Sequence, residues 1–429
     1  MRIRVPGDKS LTQRALILAA LADGDSAISG LLSGGDAAST AAALRMLGVS
    51  VGPLPADGRT VLIRGVGLQG LATPTAPLDL GNSGTGTRLL MGALAGSAIT
   101  AVLTGDASLR GRPMSRVAEP LERMGATVRH LDQAGRLPLQ ISGARPLSPV
   151  EWSPPVASAQ VKSALLLAGI TGHAAVLLNE PRQSRDHTER LLALMGVPLV
   201  EHAGAAGWRV ELREPPERLE PLECRIPGDP SSAAFFVALA VLGGAGFHLE
   251  MEGVGLNPTR TSFFDLVRRM GGPVETEADA GPPGAEPVGT VLARRGDLVG
   301  VSVGADEVPG LIDELPLLAI LGTRAQGETR ISGAGELRHK ESDRIAVMVE
   351  NLRAVGAEAE ELPDGLVVVG SDRPLRGKVR THGDHRIAMA FGVLGALAEN
   401  RISLDDPEAA DVSFPGFWPL LRSVRESKG

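Results

Sequence analysis

Residues 4–10 read Arg-Val-Pro-Gly-Asp-Lys-Ser, and residues 225–231 read Arg-Ile-Pro-Gly-Asp-Pro-Ser, 221 positions further on in a chain of 429. An apolar helical stretch follows each copy, at 11–21 and at 233–242. A chain that restates its opening near its midpoint folds as two similar lobes, because each copy must bury the same kind of face. A finer period runs inside the halves. Small-residue turns that open apolar helices recur at Gly7, Gly81, Ala157, Gly228, Gly310 and Gly383, with gaps of 74, 76, 71, 82 and 73.

Five of these units carry a second helix that runs into a glycine and then a strand, at Gly48, Gly125, Gly196, Gly271 and Gly356. Glycine is the expected stop of a helix there. Turns such as Ala56-Asp-Gly58 and Pro363-Asp-Gly365 then lead into strands rich in Val, Leu and Ile. The fourth unit carries a Pro- and Gly-rich insertion at 278–290, read as a loop. The pattern predicts an α/β fold of six βαβαββ units, three per lobe. The first lobe is 7–227 and the second is 1–6 plus 228–429, with crossings near 5–9 and 225–230 that would make a hinge.

Glycine supplies 54 residues without collagen periodicity, so it belongs to tight turns and close backbone approaches. Eight Phe, three Trp and no Tyr leave little for base stacking, and a net charge of −7 argues against a nucleic-acid partner. The single cysteine, Cys224, excludes an intramolecular disulfide and any CxxC motif. The N-terminus has no apolar signal core, and the longest weakly polar run, 233–247, is too short to span a bilayer. The expectation is a cytoplasmic monomer with no membrane or nucleic-acid partner.

The chemistry gathers at helix starts. Asp8-Lys9-Ser10 with Arg14 one turn on offers an N-cap at Ser10, free backbone N–H groups and two cations, a cup suited to phosphate. Gly81-Asn-Ser-Gly-Thr-Gly-Thr-Arg88 is a glycine-rich turn that is neither a Walker loop nor a dinucleotide fingerprint. Ser158-Ala159-Gln160-Val-Lys162 sets a hydroxyl, an amide and an ammonium at one helix start, while Arg112 and Arg185 lie in turns. Asp313 and Glu314 open another apolar helix. His339-Lys340-Glu341-Ser-Asp-Arg344 alternates charge, which by itself fits a solvated face. Asp384-His-Arg386 opens the last apolar helix; His382, Asp384 and His385 crowd into poor metal geometry, so no metal is expected. Taken singly, each start also fits a capped helix with a solvated basic face. If the six starts converge between two lobes, Lys9, Arg14, Arg112, Arg185, Lys340, Arg344 and Arg386 share one interlobe cleft with Asp313 and Glu341. Such a cleft suits two polyanionic small molecules, and its closure would exclude water.

These motifs, in this order and over nearly the whole chain, resemble the 5-enolpyruvylshikimate-3-phosphate synthase family, and Arg185-Asp-His-Thr-Glu189 and Asn257-Pro-Thr-Arg260 are similar to its second class. The resemblance implies an enolpyruvyl transferase fold and no cofactor. It implies that Lys9, Ser10, Arg14, Ser158, Ala159, Gln160, Arg185, Asp313 and Lys340 bind shikimate 3-phosphate, and that Lys9, Gly84, Arg112, Gln160, Arg344 and Arg386 bind phosphoenolpyruvate. In the implied reaction the 5-hydroxyl of shikimate 3-phosphate attacks carbon 2 of phosphoenolpyruvate, and a tetrahedral intermediate expels phosphate. Asp313 is the candidate base, and Glu341 or Lys9 the candidate acid, a choice the sequence leaves open. The substrates together carry about −6 of charge at neutral pH, against which seven cations less two carboxylates supply +5 and helix ends the remainder.

Two positions depart from the family pattern: Val412 stands where many members place a lysine, and Glu336 where some have asparagine. Gly84 stands where some tolerant members carry alanine, which implies a glyphosate-sensitive target. The alternative is the sister transferase that acts on UDP-N-acetylglucosamine. Its usual reactive cysteine is missing from the loop Asp106-Ala-Ser-Leu-Arg-Gly-Arg112, and Cys224 reads as a buried apolar residue. A non-catalytic anion-binding repeat protein is disfavoured by Asp313 and Glu341, which would weaken pure anion binding.

Overall fold

The computed structural model describes residues 1–204, 207–282 and 284–426. The chain forms two compact units. One comprises Gly7–Ile226 with Pro282–Glu286; the other comprises Met1–Pro6, Pro227–Gly281 and Pro287–Gly429. Each has its own apolar core.

In the unit built on residues 7–226, three four-stranded sheets follow one plan. The strand order Leu78–Asp79, Thr100–Thr104, Leu139–Ser142, Thr127–His130 is typical: the first pair is parallel and the rest antiparallel. A parallel pair needs a crossover, and the apolar helix Gly84–Ala95 supplies it. Helix Ala159–Thr171 does the same between Val150–Trp152 and Val176–Glu180, and both it and Lys9–Leu21, which precedes strand Asp25–Ser29, are buried along nearly their whole length. Burial on all faces explains why these stretches read as continuous apolar runs rather than as one-sided stripes. The second helices, such as Ser115–Met124, keep an exposed polar side.

The other unit repeats the plan twice in full, with sheets led by Arg2–Ile3 and by Ser302–Val303. Its third repeat is shorter than the βαβαββ pattern. It has the parallel pair Arg376–Val379 and Arg401–Leu404 around helix His385–Gly395, then a 3-10 turn and helix Phe417–Glu426 in place of the final hairpin. The duplicated openings exchange their leading strands. Arg2–Ile3 pairs with His248–Gly255 of the fourth repeat, while Glu223–Arg225 pairs with Asp25–Ser29 of the first.

All five glycines expected to end second helices take positive φ, from 82° at Gly196 to 111° at Gly125, where a side chain would be strained. The insertion expected at 278–290 is a hairpin. Strands Val274–Ala278 and Val288–Arg294 pair as far as Ala278 and Gly289, so only the stretch between them is irregular; residue 283 lies outside the described residues. Ser10 does not cap its helix. Asp8 does, accepting from the Leu11 N–H at 2.7 Å, because the helix starts one residue before the serine.

Five of the eleven aromatic side chains cluster in the second unit. Phe235, Phe236, Phe414, Phe417 and Trp418 pack with ring centroids 5.0–6.0 Å apart. Phe417 is at the centre and fully buried. Phe417→Ala is expected to lower this unit's stability by about 3–5 kcal/mol. Urea unfolding followed by Trp418 fluorescence, in a chain with Trp152 and Trp208 replaced by Phe, measures it, and a loss below about 1 kcal/mol would contradict this packing.

Candidate functional site

In the unit of residues 7–226, the first cluster joins three helix starts. Arg14, only 2% exposed, donates to Ser10 Oγ (2.6 Å), Thr188 Oγ1 (2.9 Å) and Ser163 Oγ (3.0 Å), and reaches the Ala159 carbonyl at 3.5 Å. Its guanidinium is therefore a brace that orients the Ser10 hydroxyl and ties helix Lys9–Leu21 to helices Ala159–Thr171 and His187–Leu194. Lys9 sits at the open end of its helix, 3.1 Å from Asp36. Ser158 is the N-cap of helix Ala159–Thr171, at 3.5 Å from the Val161 N–H.

A second cluster surrounds Gly84. Arg88 donates to Gln160 Oε1 (2.8 Å) and to the Pro113 carbonyl (2.9 Å), and Gln160 donates to Thr85 Oγ1 (2.9 Å). Arg112 contacts Asn82 Oδ1 (2.5 Å) and Ser108 Oγ (3.3 Å). A Cβ on Gly84 would lie 3.0 Å from one Arg88 nitrogen and 3.2 Å from one of Arg112, so the bare backbone is what leaves both guanidiniums space. Arg112, Gly84 and Gln160 were expected together; Arg88 was not assigned a role, although it stands one helical turn after Gly84.

Half-buried Arg185 follows Ser184 in the turn before helix His187–Leu194. Behind that turn lies a buried ion triad that the sequence reading did not find. Lys162 Nζ is 3.1 Å from Glu180 and 2.7 Å from Glu189, with side-chain exposures of 0%, 1% and 2%. Burial opposes the Lys162 charge, but its two carboxylates outweigh that and raise its pKa. For Glu189 burial wins and pushes the carboxyl up to about 7, against the pull of Lys162.

In the other unit, the expected site residues form one charged group. Arg344, 1% exposed, pairs with Asp384 (2.8 Å) and Glu341 (2.5 Å), and Asp384 also accepts from Ser342 and from the Arg386 N–H. The run 339–344 is therefore not a solvated face: it turns between a 3-10 segment and helix Arg344–Ala354 and directs Arg344 inward. Arg386 donates to the Asp313 carbonyl at 2.7 Å and lies 3.8 Å from its carboxylate. Asp313 and Glu314 occupy the break between helices Val308–Leu311 and Leu315–Gly322. Glu314 is buried, which raises its pKa, and it accepts from Ser231; Asp313 keeps a fifth of its side chain exposed. Desolvation lowers the Lys340 ammonium although Asp313 and Glu336 oppose that, with the Glu336 carboxylate 3.8 Å away.

His382 is exposed, 3.9 Å from Glu350. Among the described residues, Asp186, His187 and Glu286 are the one group with metal-ligand spacing. Arg190 pairs with Asp186 at 2.8 Å, and within the group His187 Nδ1 lies 2.7 Å from Glu286. Cys224 is half-buried in strand Glu223–Arg225, and desolvation pushes its thiol up to about 12, which leaves it unreactive at neutral pH. No helix among the described residues is long and apolar enough to cross a membrane.

The same architecture occurs in solved structures. The chain superposes on EPSP synthase from Acinetobacter baumannii with a TM-score of 0.85 at 37% identity, covering 99% of this chain and 95% of that one. On the enolpyruvyl transferase NikO from Streptomyces tendae the TM-score is 0.73 at 19% identity, covering 99% and 94%. The fold is that of the enolpyruvyl transferases. A sequence model of EPSP synthase (3-phosphoshikimate 1-carboxyvinyltransferase) matches residues 1–421. Proteins named 3-phosphoshikimate 1-carboxyvinyltransferase are similar throughout: that of Alkalilimnicola ehrlichii is 47% identical over 98% of this chain and 92% of its own length, and that of a Sulfurihydrogenibium species 44% over 98% and 96%. The chain belongs to the EPSP synthase family.

The raised Glu189 carboxyl sets a pH dependence. Its native value of about 7 exceeds the ordinary 4.5, so between these values the native state binds more protons than the unfolded chain. Its contribution to stability is thus present below pH 4.5 and lost as pH rises through 7, by about 3 kcal/mol. The stability difference between the native protein and Glu189→Gln, from urea unfolding at pH 5 and pH 8, is expected to shift against the native protein by that order. A difference that does not change with pH would contradict it.

Proposed function

We propose that these three groups of side chains carry out the reaction of the family: transfer of the enolpyruvyl group of phosphoenolpyruvate to the 5-hydroxyl of shikimate 3-phosphate, with release of phosphate, a step of the shikimate pathway to aromatic amino acids. The observation that supports it most is the charge arrangement around Asp313. One partly exposed carboxylate stands beside Arg386 and close to Lys340, while its neighbour Glu314 is buried and raised. Two adjacent carboxyl groups in different environments separate a proton acceptor from a structural group.

In this reading Ser10, Ser158, Ala159, Gln160, Arg185 and Lys340 hold shikimate 3-phosphate, with Arg14 setting Ser10. Gly84, Arg112, Gln160, Arg344 and Arg386 hold phosphoenolpyruvate, Lys9 reaches both, and Arg88 joins the set through its bond to Gln160. Asp313 accepts the proton of the 5-hydroxyl as its oxygen bonds to carbon 2 of phosphoenolpyruvate, while Glu341 or Lys9 protonates carbon 3 to a methyl group. Loss of a methyl proton then restores the double bond as the carbon–oxygen bond to phosphate breaks. Guanidinium and ammonium groups stabilise the charge that builds on the departing phosphate. The UDP-N-acetylglucosamine alternative lacks support from the chain's only thiol, which is unreactive and stands in a strand. We read the protein as a monomer that works in the cytoplasm, and as a target of glyphosate.

Asp313→Ala is expected to bind shikimate 3-phosphate in calorimetry while turnover falls about 10²–10⁴-fold; near-normal turnover removes Asp313 from the mechanism. Because a methyl at Gly84 would press on Arg88 and Arg112, Gly84→Ala is expected to raise the half-inhibiting glyphosate concentration about tenfold or more, with a smaller rise in KM for phosphoenolpyruvate. Unchanged inhibition in that variant would contradict the assignment of the Gly84 turn.

A further inference from the structure

Glu180 ends strand Val176–Glu180 and is 2% exposed, yet it belongs to no expected site. Its two oxygens serve two separate segments. Oε1 accepts from the Ser158 N–H at 3.1 Å, and Oε2 accepts from the Ser184 N–H at 3.3 Å and its hydroxyl at 2.8 Å. Lys162 closes the arrangement from the other side, 3.1 Å from Glu180 Oε2 while donating to the Ser184 carbonyl at 3.3 Å, and Glu189 holds the same ammonium at 2.7 Å. Ser184 is thus gripped at its N–H, hydroxyl and carbonyl, and Ser158 is fixed from the same carboxylate.

A buried ion group of this kind is weak as a source of stability, since desolvating the charges offsets most of their attraction. What it provides is position. A carboxylate only accepts, so it satisfies several donors on both sides at once; an amide in its place would turn an N–H group toward a donor. The segments it joins are 158–160 and the turn that carries Arg185. We propose that Glu180, locked by Lys162, is the positioning residue that sets these two segments at the spacing needed to receive the phosphate-bearing acceptor. This rests on the reading of both segments as the shikimate 3-phosphate side. Glu180 acts through Ser158 and the Ser184–Arg185 turn and does not itself touch substrate.

Steady-state kinetics with both substrates test it on the full chain. Glu180→Gln is expected to raise KM for shikimate 3-phosphate about tenfold or more, as for the loss of a charge-assisted bond, with KM for phosphoenolpyruvate changed less than about threefold. A purely structural role would lower the active fraction, and so kcat, without that selective shift. An unchanged KM for shikimate 3-phosphate, or equal rises for both substrates, overturns the proposal. Should Glu180→Gln fail to fold, Ser184→Ala removes only the hydroxyl bond to Oε2. That variant should show a rise of about threefold for shikimate 3-phosphate alone, and no rise overturns the proposal equally. If the native enzyme itself releases no phosphate with shikimate 3-phosphate, the reading of the site has failed and this proposal with it, so the native control tells the two failures apart.

Discussion

Among the described residues, six helices buried along nearly all of their length organise this protein. Helix Pro230–Val241 is buried at every residue, and Ala159–Thr171 from Val161 onward. A helix enclosed in this way meets polar surroundings only at its ends, where its first N–H groups lack partners. Side chains satisfy part of that need at five starts, through Asp8, Ser83, Ser158, Asp229 and Asp384. What remains is a set of positive helix ends that favour anions and sit beside Lys9, Arg88, Gln160 and Arg386. The demand for burial and the placement of the chemistry are therefore one constraint.

Charge is managed locally. The net charge of −7 coexists with arginines placed in the interior, and each of these is matched: Arg14 by hydroxyls and a carbonyl, Arg344 by two carboxylates, and Arg260 by Asp229 and Ser231. Matching holds these groups in one geometry before substrate arrives, which lowers the cost of ordering them on binding. It also separates cations that brace the framework, such as Arg14, from those set in half-buried turns, such as Arg112 and Arg185.

Much of this was legible in the sequence because it is local. Helix-ending glycines need a backbone that side chains resist, so Gly48 or Gly125 announces its own conformation. The chain passes between units at Pro6–Gly7 and Ile226–Pro227, inside the duplicated Pro-Gly-Asp segments, and again on either side of Pro282–Glu286, which no sequence signal announced; the motifs at Gly84 and Ser158 lie together in one unit and those at Asp313 and Arg344 in the other. Long-range pairing was not legible. Glu180 is an ordinary glutamate at a strand end, and only the fold shows that Ser158, Lys162 and Ser184 converge on it. Taken alone the 339–344 run also fits a solvated face, because its alternation is the same whether it lies on a helix or at a break between a 3-10 segment and a helix. The sixth repeat lost its hairpin, since the sequence there offers a second amphipathic helix, Phe417–Glu426, that completes the aromatic core instead.

In this reading the side chains at these helix starts transfer an enolpyruvyl group to shikimate 3-phosphate. Phosphate release from phosphoenolpyruvate, with the carbon product followed by NMR, tests it directly when shikimate 3-phosphate and UDP-N-acetylglucosamine are supplied in separate reactions. Stoichiometric phosphate and an enol ether at the 5-oxygen are expected with shikimate 3-phosphate, and neither with the nucleotide sugar. Release with the nucleotide sugar alone, or with neither acceptor, would contradict it.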